Sequence, residues 1–154
     1  MNFTHWVLLT ENMQPISAQQ AVQILSAHRG VIRADDLRTD NFTNAERNGH
    51  TIYYNPAFQI ANIGRRIQGY DMARVMQMIN QMFSAIGLPP VQDPKQIDQN
   101  AVRPHAAQLS EMLPPIIVSI MPDESYSLSD GNHRLGCARV LGLPTLKAFE
   151  IQTF

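Results

Sequence analysis

A chain of 154 residues, 44% hydrophobic and 16% charged, is the size of one domain and long enough to bury roughly 70% of its unfolded surface, which excludes whole-chain disorder. Its formal charge of −1 gives no support to a dedicated duplex-DNA binder, which shows a basic excess, although a local patch can hide inside a neutral total. The single cysteine, Cys137, rules out an internal disulfide, Met1 to Thr10 lacks the basic start and apolar run of a signal peptide, and no apolar stretch reaches a membrane span; the expectation is a cytoplasmic protein with no membrane association.

Taken in chain order, His5-Trp6-Val7-Leu8-Leu9 suits a short opening strand. Ser17 with Gln20 three residues on forms a capping-box signature for a helix carrying Val22, Ile24 and Leu25, with Gly30 as its stop. Asp35, Asp36, Asp40, Asn41 and Asn44 favour turns. Thr51-Ile52-Tyr53-Tyr54 predicts a strand ended by Asn55-Pro56, followed by a helix over Ala57 to Ile67. The strongest helical pattern runs from Met72 to Ile86, with Asp71 as cap, Met72, Val75, Met76, Ile79, Phe83 and Ile86 as one apolar face, and Gly87 as stop. Met78 lies off that face, so the methionine-rich helix 72–86 is also a candidate surface for a protein partner. Asp93 to Gln99 is polar loop, and Val102 to Met112 predicts a short helix.

The last forty residues carry the tightest pattern. Ile116 to Ile120 is a continuous β-branched run, expected as a buried strand. Pro122-Asp123-Glu124-Ser125 is turn chemistry, Tyr126 to Leu128 alternates as a second strand, Asp130-Gly131 breaks it, Asn132 to Leu141 is helical, Gly142 ends the helix, and Thr145 to Ile151 is a final strand. No repeat, low-complexity tract or linker interrupts the chain, so 1–154 is expected to be one domain.

The strand–Asp-Gly–helix junction is where this chemistry converges. A helix start has backbone N–H groups without intrahelical partners and a partial positive charge, which suits an anion. Gly131 permits a sharp turn and close approach of a ligand. Arg134 in the first helical turn has the planar fork that grips phosphate or carboxylate, and His133 is a donor adjustable near neutral pH. Asp130 can cap the helix or hold a hard cation such as Mg²⁺ bound to phosphate oxygens; Ser129 and Asn132 add neutral hydrogen bonds. As a bare pattern, the same residues also suit an ordinary Asp-Gly turn with a capped helix.

The order Leu-Pro-Pro-Ile-Ile-Val at 113–118, Tyr-Ser-Leu-Ser-Asp-Gly-Asn-His-Arg-Leu at 126–135, then Ala138, Leu141-Gly142 and Leu143-Pro144, resembles the ParB/sulfiredoxin-like superfamily. The resemblance covers about residues 102–151. It implies an α+β fold, a small mixed sheet with packed helices, joined here to an unfamiliar, largely helical part over residues 1–100. It implies further that the Gly-x-His-Arg turn meets a nucleotide's phosphates, CTP in the ParB branch and ATP in sulfiredoxins, while other branches include a free-serine kinase and nuclease activities. Gly131, His133 and Arg134 match the motif, and Asp130 matches an acidic residue of related variants. Asn132 stands where sulfiredoxins place their catalytic cysteine, so sulfinic-acid reduction is not expected. The chain stops at Phe154, without the DNA-binding helix-turn-helix that follows in ParB proteins.

Two functions follow as expectations. One is a Mg²⁺-dependent enzyme processing a nucleotide or a nucleic-acid phosphodiester, with Arg134 clamping phosphate, Asp130 holding the cation, His133 as donor or acid/base, and Glu111 as a base or metal ligand. The other is a non-catalytic nucleotide-sensing or protein-interaction module. Arg65-Arg66, Lys95 and Arg103 are candidate neutralising charges but more often mere solvated arginines and lysines; Cys137, one turn from His133, is a conceivable nucleophile but more often an inert buried thiol.

Overall fold

A computed structural model describes residues 13–34, 38–64 and 71–154. Its strands are β1 (Pro15–Ile16), β2 (Thr51–Gln59), β3 (Ile116–Ile120), β4 (Tyr126–Asp130) and β5 (Thr145–Gln152), and its helices α1 (Ala18–Ser26), α2 (Asp40–Arg47), α3 (Met72–Ile86), α4 (Gln99–Val102), α5 (Ala106–Met112) and α6 (Asn132–Leu141). The strands form one mixed sheet in the order β1-β2-β5-β3-β4. β5 runs antiparallel to β2 and parallel to β3, while β4 is antiparallel to β3.

Side-chain alternation along the strands sets the layers. Ile52, Ile117, Phe149 and Ile151 bury against Ala18, Ala21 and Leu25 of α1 and Phe42 and Ala45 of α2. Ile116, Val118, Ile120, Leu146 and Ala148 bury on the opposite face against Val75, Ile79, Met82 and Phe83 of α3, Leu109 of α5, and Leu135, Ala138 and Leu141 of α6. Helices therefore cover both faces, which is why β3 reads as an unbroken apolar run. The chain is a mixed helix-and-sheet protein, and among the described residues no helix is long and apolar enough to cross a membrane.

Local signals place several elements where the sequence predicts them. The Ser17 hydroxyl accepts from the Gln20 N–H at 3.1 Å while the Gln20 side chain accepts from the Ser17 N–H at 2.8 Å, closing the capping box. Asp71 accepts from the N–H groups of Ala73 and Arg74, and Gly87 ends α3 in the left-handed conformation. Four expectations need correction. α1 stops at Ser26, four residues before Gly30. β2 continues through Asn55-Pro56 to Gln59, helped by a register shift against β5 between Asn55 and Phe58. Where a helix is expected over 57–67, the described part, residues 57–64, holds the end of that strand and a short 3-10 turn, Ile60–Asn62, while 65–67 lie outside the described residues. The N-terminal part thus contributes two strands to the same sheet as the C-terminal part. In α3, Met78, expected off the apolar face, is buried with Met76 and Met82, while Met72, expected on that face, is 38% exposed. The expected strand at 5–9, the Asp35-Asp36 turn and Arg65-Arg66 lie outside the described residues.

Candidate functional site

The β4–α6 junction is built around Gly131. Its φ is +100°, and a Cβ placed there would lie 2.7 Å from Cγ2 of Ile116. Only glycine gives both the positive φ and the close packing against β3. Gly131 is also the N-cap residue of α6, with no side-chain cap, so the expected capping role of Asp130 takes a different form. Asp130 ends β4. Its Oδ1 accepts from the Gly131 N–H at 2.9 Å, and its Oδ2 accepts from the Arg38 backbone N–H at 2.8 Å. The carboxylate thereby ties the loop that follows α1 onto the turn.

Arg134 is 2% exposed, an exceptional burial for an arginine. Its Nη2 donates to the Arg33 carbonyl through a long 3.4 Å hydrogen bond, so the same loop meets both Asp130 and Arg134. His133 meets a different segment: its Nε2 accepts from the Asp71 N–H at 3.4 Å. The contact brings the start of α3 beside the start of α6. Ser129 is exposed and its hydroxyl pairs with that of Ser119 at 2.7 Å, and Asn132 is the first residue of α6. Glu111 lies apart from the turn. Its side chain is 73% exposed and pairs with Lys147 at 3.6 Å. The turn residues thus gather as expected, but Glu111 does not join them.

The cavity that Arg134 enters is a cleft of about 430 Å³ lined by Arg33, Arg74, Gln77, Gln81 and Arg134, with Val31, Ile32 and Met78 as apolar wall. Arg33, Arg74 and Arg134, from three segments, line one space, and among the described residues no carboxylate lines it. Arg74 stands in the first turn of α3 and Arg134 in the first turn of α6, so two positive helix ends reinforce the arginines. On a protein of net charge −1, three arginines are thus gathered at one cleft. Gln77 and Gln81, one helical turn apart on α3, add neutral amide donors.

Asp130, the residue expected to hold Mg²⁺, has each carboxylate oxygen already accepting one backbone N–H. Among the described residues, no three His, Cys, Asp or Glu side chains are grouped to hold a metal ion. Cys137 is fully buried, its thiol lies 3.7 Å from the Val75 carbonyl, and burial pushes its pKa up to about 12, only partly offset by the Arg134 charge. It is a protonated core thiol rather than a nucleophile.

Several residues of interest carry no sequence signal. Arg33 and Arg74 are single arginines in unrelated segments. His28 binds its own loop, with Nε2 2.9 Å from the Ile32 carbonyl and 3.1 Å from the Gly30 nitrogen, and Nδ1 3.5 Å from the Lys147 ammonium. Burial first, then the charges of Lys147 and Arg134, hold its pKa below the ordinary value and outweigh the hydrogen bond to Ile32. Glu150 is 1% exposed in the centre of the sheet, accepting from the Asn55 amide at 2.8 Å and the Tyr126 hydroxyl at 3.0 Å. Burial raises its pKa despite those two donors. Comparison with known proteins returns no relative: no family model matches the chain, and neither a curated protein nor a solved structure does.

Proposed function

We propose that this protein binds the phosphates of a nucleotide, or of another phosphodiester, in the cleft between Arg33, Arg74 and Arg134, as a ParB/sulfiredoxin-like domain. The observation that supports this reading is the near-complete burial of Arg134 as one wall of a cleft that Arg33 and Arg74 also line. Burying an arginine is costly, and its planar fork suits phosphate oxygens. ATP and CTP are the first ligands to consider, and Mg²⁺ would arrive on their phosphates rather than reside in the protein.

Binding takes precedence over turnover, because arginines dominate the cleft and, among the described residues, its lining has no carboxylate or imidazole to act as a base. A phosphate-processing enzyme is the second reading. One observation favours it: His28, an imidazole whose pKa burial holds below the ordinary value, lines the neighbouring cleft bounded by the same Arg33.

The test is thermal unfolding of the full chain with the four NTPs and NDPs, with and without Mg²⁺. Ligand at about a hundred times its Kd should stabilise by about 2.7 kcal/mol. Arg74→Gln on the surface of α3, and Arg134→Lys, which keeps a buried charge but loses the fork, should both shrink the shift. Absence of a shift with every nucleotide refutes the reading, and an equal shift in both variants refutes the role of the arginines. Release of inorganic phosphate, measured in the same samples, decides between sensor and enzyme.

A further inference from the structure

Lys147 lies on β5 with its side chain only 12% exposed. Its ammonium donates to the Glu111 carbonyl at 2.9 Å, stands 3.6 Å from the Glu111 carboxylate and meets His28 Nδ1 at 3.5 Å. An ammonium can only donate, so Nδ1 is the acceptor and the imidazole hydrogen sits on Nε2. The Ile32 carbonyl, 2.9 Å from Nε2, accepts that hydrogen. An amine, an imidazole lone pair within reach of it and a third group orienting the imidazole together form the arrangement of an activated nucleophile. We propose that Lys147 captures a small carbonyl compound bearing a carboxylate, a 2-oxo acid, as an imine, with His28 as its proton acceptor. This reading is independent of phosphate binding, and either stands without the other.

The cleft around this pair supports the assignment. It measures about 390 Å³, and His28, Arg29, Gln108, Glu111, Met112 and Lys147 are among its lining residues. Sites for small ligands run to roughly 300–1,000 Å³. Arg29 is held at the wall by the Ser26 and His28 carbonyls, to which its Nη1 donates at 2.7 and 3.0 Å, and its planar fork suits a carboxylate. Gln108 shares the face of α5 with Glu111 and brings an amide donor for the carbonyl oxygen. Holding the last turn of α5 through the Glu111 carbonyl uses only one of the ammonium's N–H groups, so that structural task leaves the imidazole contact unexplained. The reaction balances. Lys147 passes one proton to His28 Nδ1, and the neutral amine forms a bond to the carbonyl carbon. The carbonyl oxygen then takes one proton from the amine nitrogen and one from His28, and leaves as water while the nitrogen lone pair closes the C=N bond. The positive charge stays on the nitrogen beside Glu111, His28 returns to its starting form, and no oxidant or reductant is consumed.

The chain supplies its own control, because its two lysines are Lys95 and Lys147 and Lys95 is exposed. The full chain is incubated near neutral pH with glyoxylate and cyanoborohydride, which reduces an imine to a stable amine, and labelling of each lysine is followed by peptide mass spectrometry. Lys147 should be labelled at least about tenfold faster than Lys95, a modest part of what a positioned base usually gives. His28→Gln should slow Lys147 by at least about tenfold and leave Lys95 unchanged; a merely structural His28 predicts the opposite, a Lys147 made more accessible. Arg29→Gln, at an exposed position, should narrow the preference of Lys147 for glyoxylate over acetaldehyde, which lacks the acid group. Labelling of Lys95 as fast as that of Lys147, or faster, is the result expected of an inert and largely buried lysine, and it overturns the proposal whether or not His28→Gln folds. An unslowed Lys147 in folded His28→Gln overturns it equally, and an unchanged glyoxylate preference in Arg29→Gln overturns the carboxylate as part of the ligand.

Discussion

Replacing Gly131 with alanine tests whether the β4–α6 turn is as tightly determined as its geometry implies. Two costs are separable. An L-residue forced to positive φ loses about 1–2 kcal/mol. The added Cβ would lie 2.7 Å from Cγ2 of Ile116, a side chain with no exposure, and overpacking of that kind typically costs about 1–3 kcal/mol. Together they predict a loss of about 3 kcal/mol, a large share of the roughly 5–15 kcal/mol that holds a domain folded. Urea unfolding should show the midpoint falling at constant slope, and the melting temperature should drop by about 6–12 °C. The steric share can be isolated with Ile116→Ala, which removes the clashing atom and alone costs about 2–5 kcal/mol. In the Gly131→Ala background it should cost at least about 1 kcal/mol less, because the clash and the cavity relieve each other. A loss below about 0.5 kcal/mol for Gly131→Ala would refute the argument, and strict additivity in the cycle would refute its steric half.

Further outcomes follow from other contacts. Ser17→Ala removes half of the α1 capping box and should cost about 1 kcal/mol in urea unfolding. Burial holds the Glu150 carboxyl above its ordinary value of 4.5, so the folded state retains a proton that the unfolded chain has released, and this contribution is present at low pH and lost as pH rises through the folded value. Relative to Glu150→Gln, which does not titrate, the wild type should therefore lose stability as pH rises above 4.5; a pH-independent difference would contradict the raised value. Cys137 should resist a thiol reagent in the native protein near neutral pH and react at the rate of transient opening. In an NMR titration the His28 imidazole should titrate below the ordinary histidine value of 6.5, because burial disfavours its charged form.

Elements specified by neighbouring residues were legible in the sequence. Ser17 with Gln20, Asp71 with Gly87, and Gly131 with Gly142 mark helix ends through caps that act within a few residues, and α6 spans the stretch its pattern predicts, Asn132–Leu141. β2 was truncated at Pro56 because proline interrupts a strand hydrogen-bonded on both sides. There, however, the described residues of β1 pair only with Ile52 and Tyr53, and the register shift toward Phe58 accommodates the ring. The turn residues of the candidate site were visible for the same local reason. Its electrostatics were not, because Arg33, Arg74 and Arg134 belong to segments joined only by the tertiary fold. Glu150 was equally hidden, since one polar residue in a strand looks like an outward position until Tyr126 and Asn55 close over it.

The position of β5 has a consequence for the nascent chain. β2 and β3 do not pair with each other; the sheet's two halves are joined through Thr145–Gln152. During synthesis the earlier strands appear long before the segment that unites them, so β2 must wait with one of its edges unsatisfied. Residues 1–100 and 102–151, distinct in sequence character, are therefore interdependent in folding. Lesions in β5 should reduce the yield of soluble protein more than their effect on equilibrium stability implies, because they prolong the interval in which that edge is open to other chains.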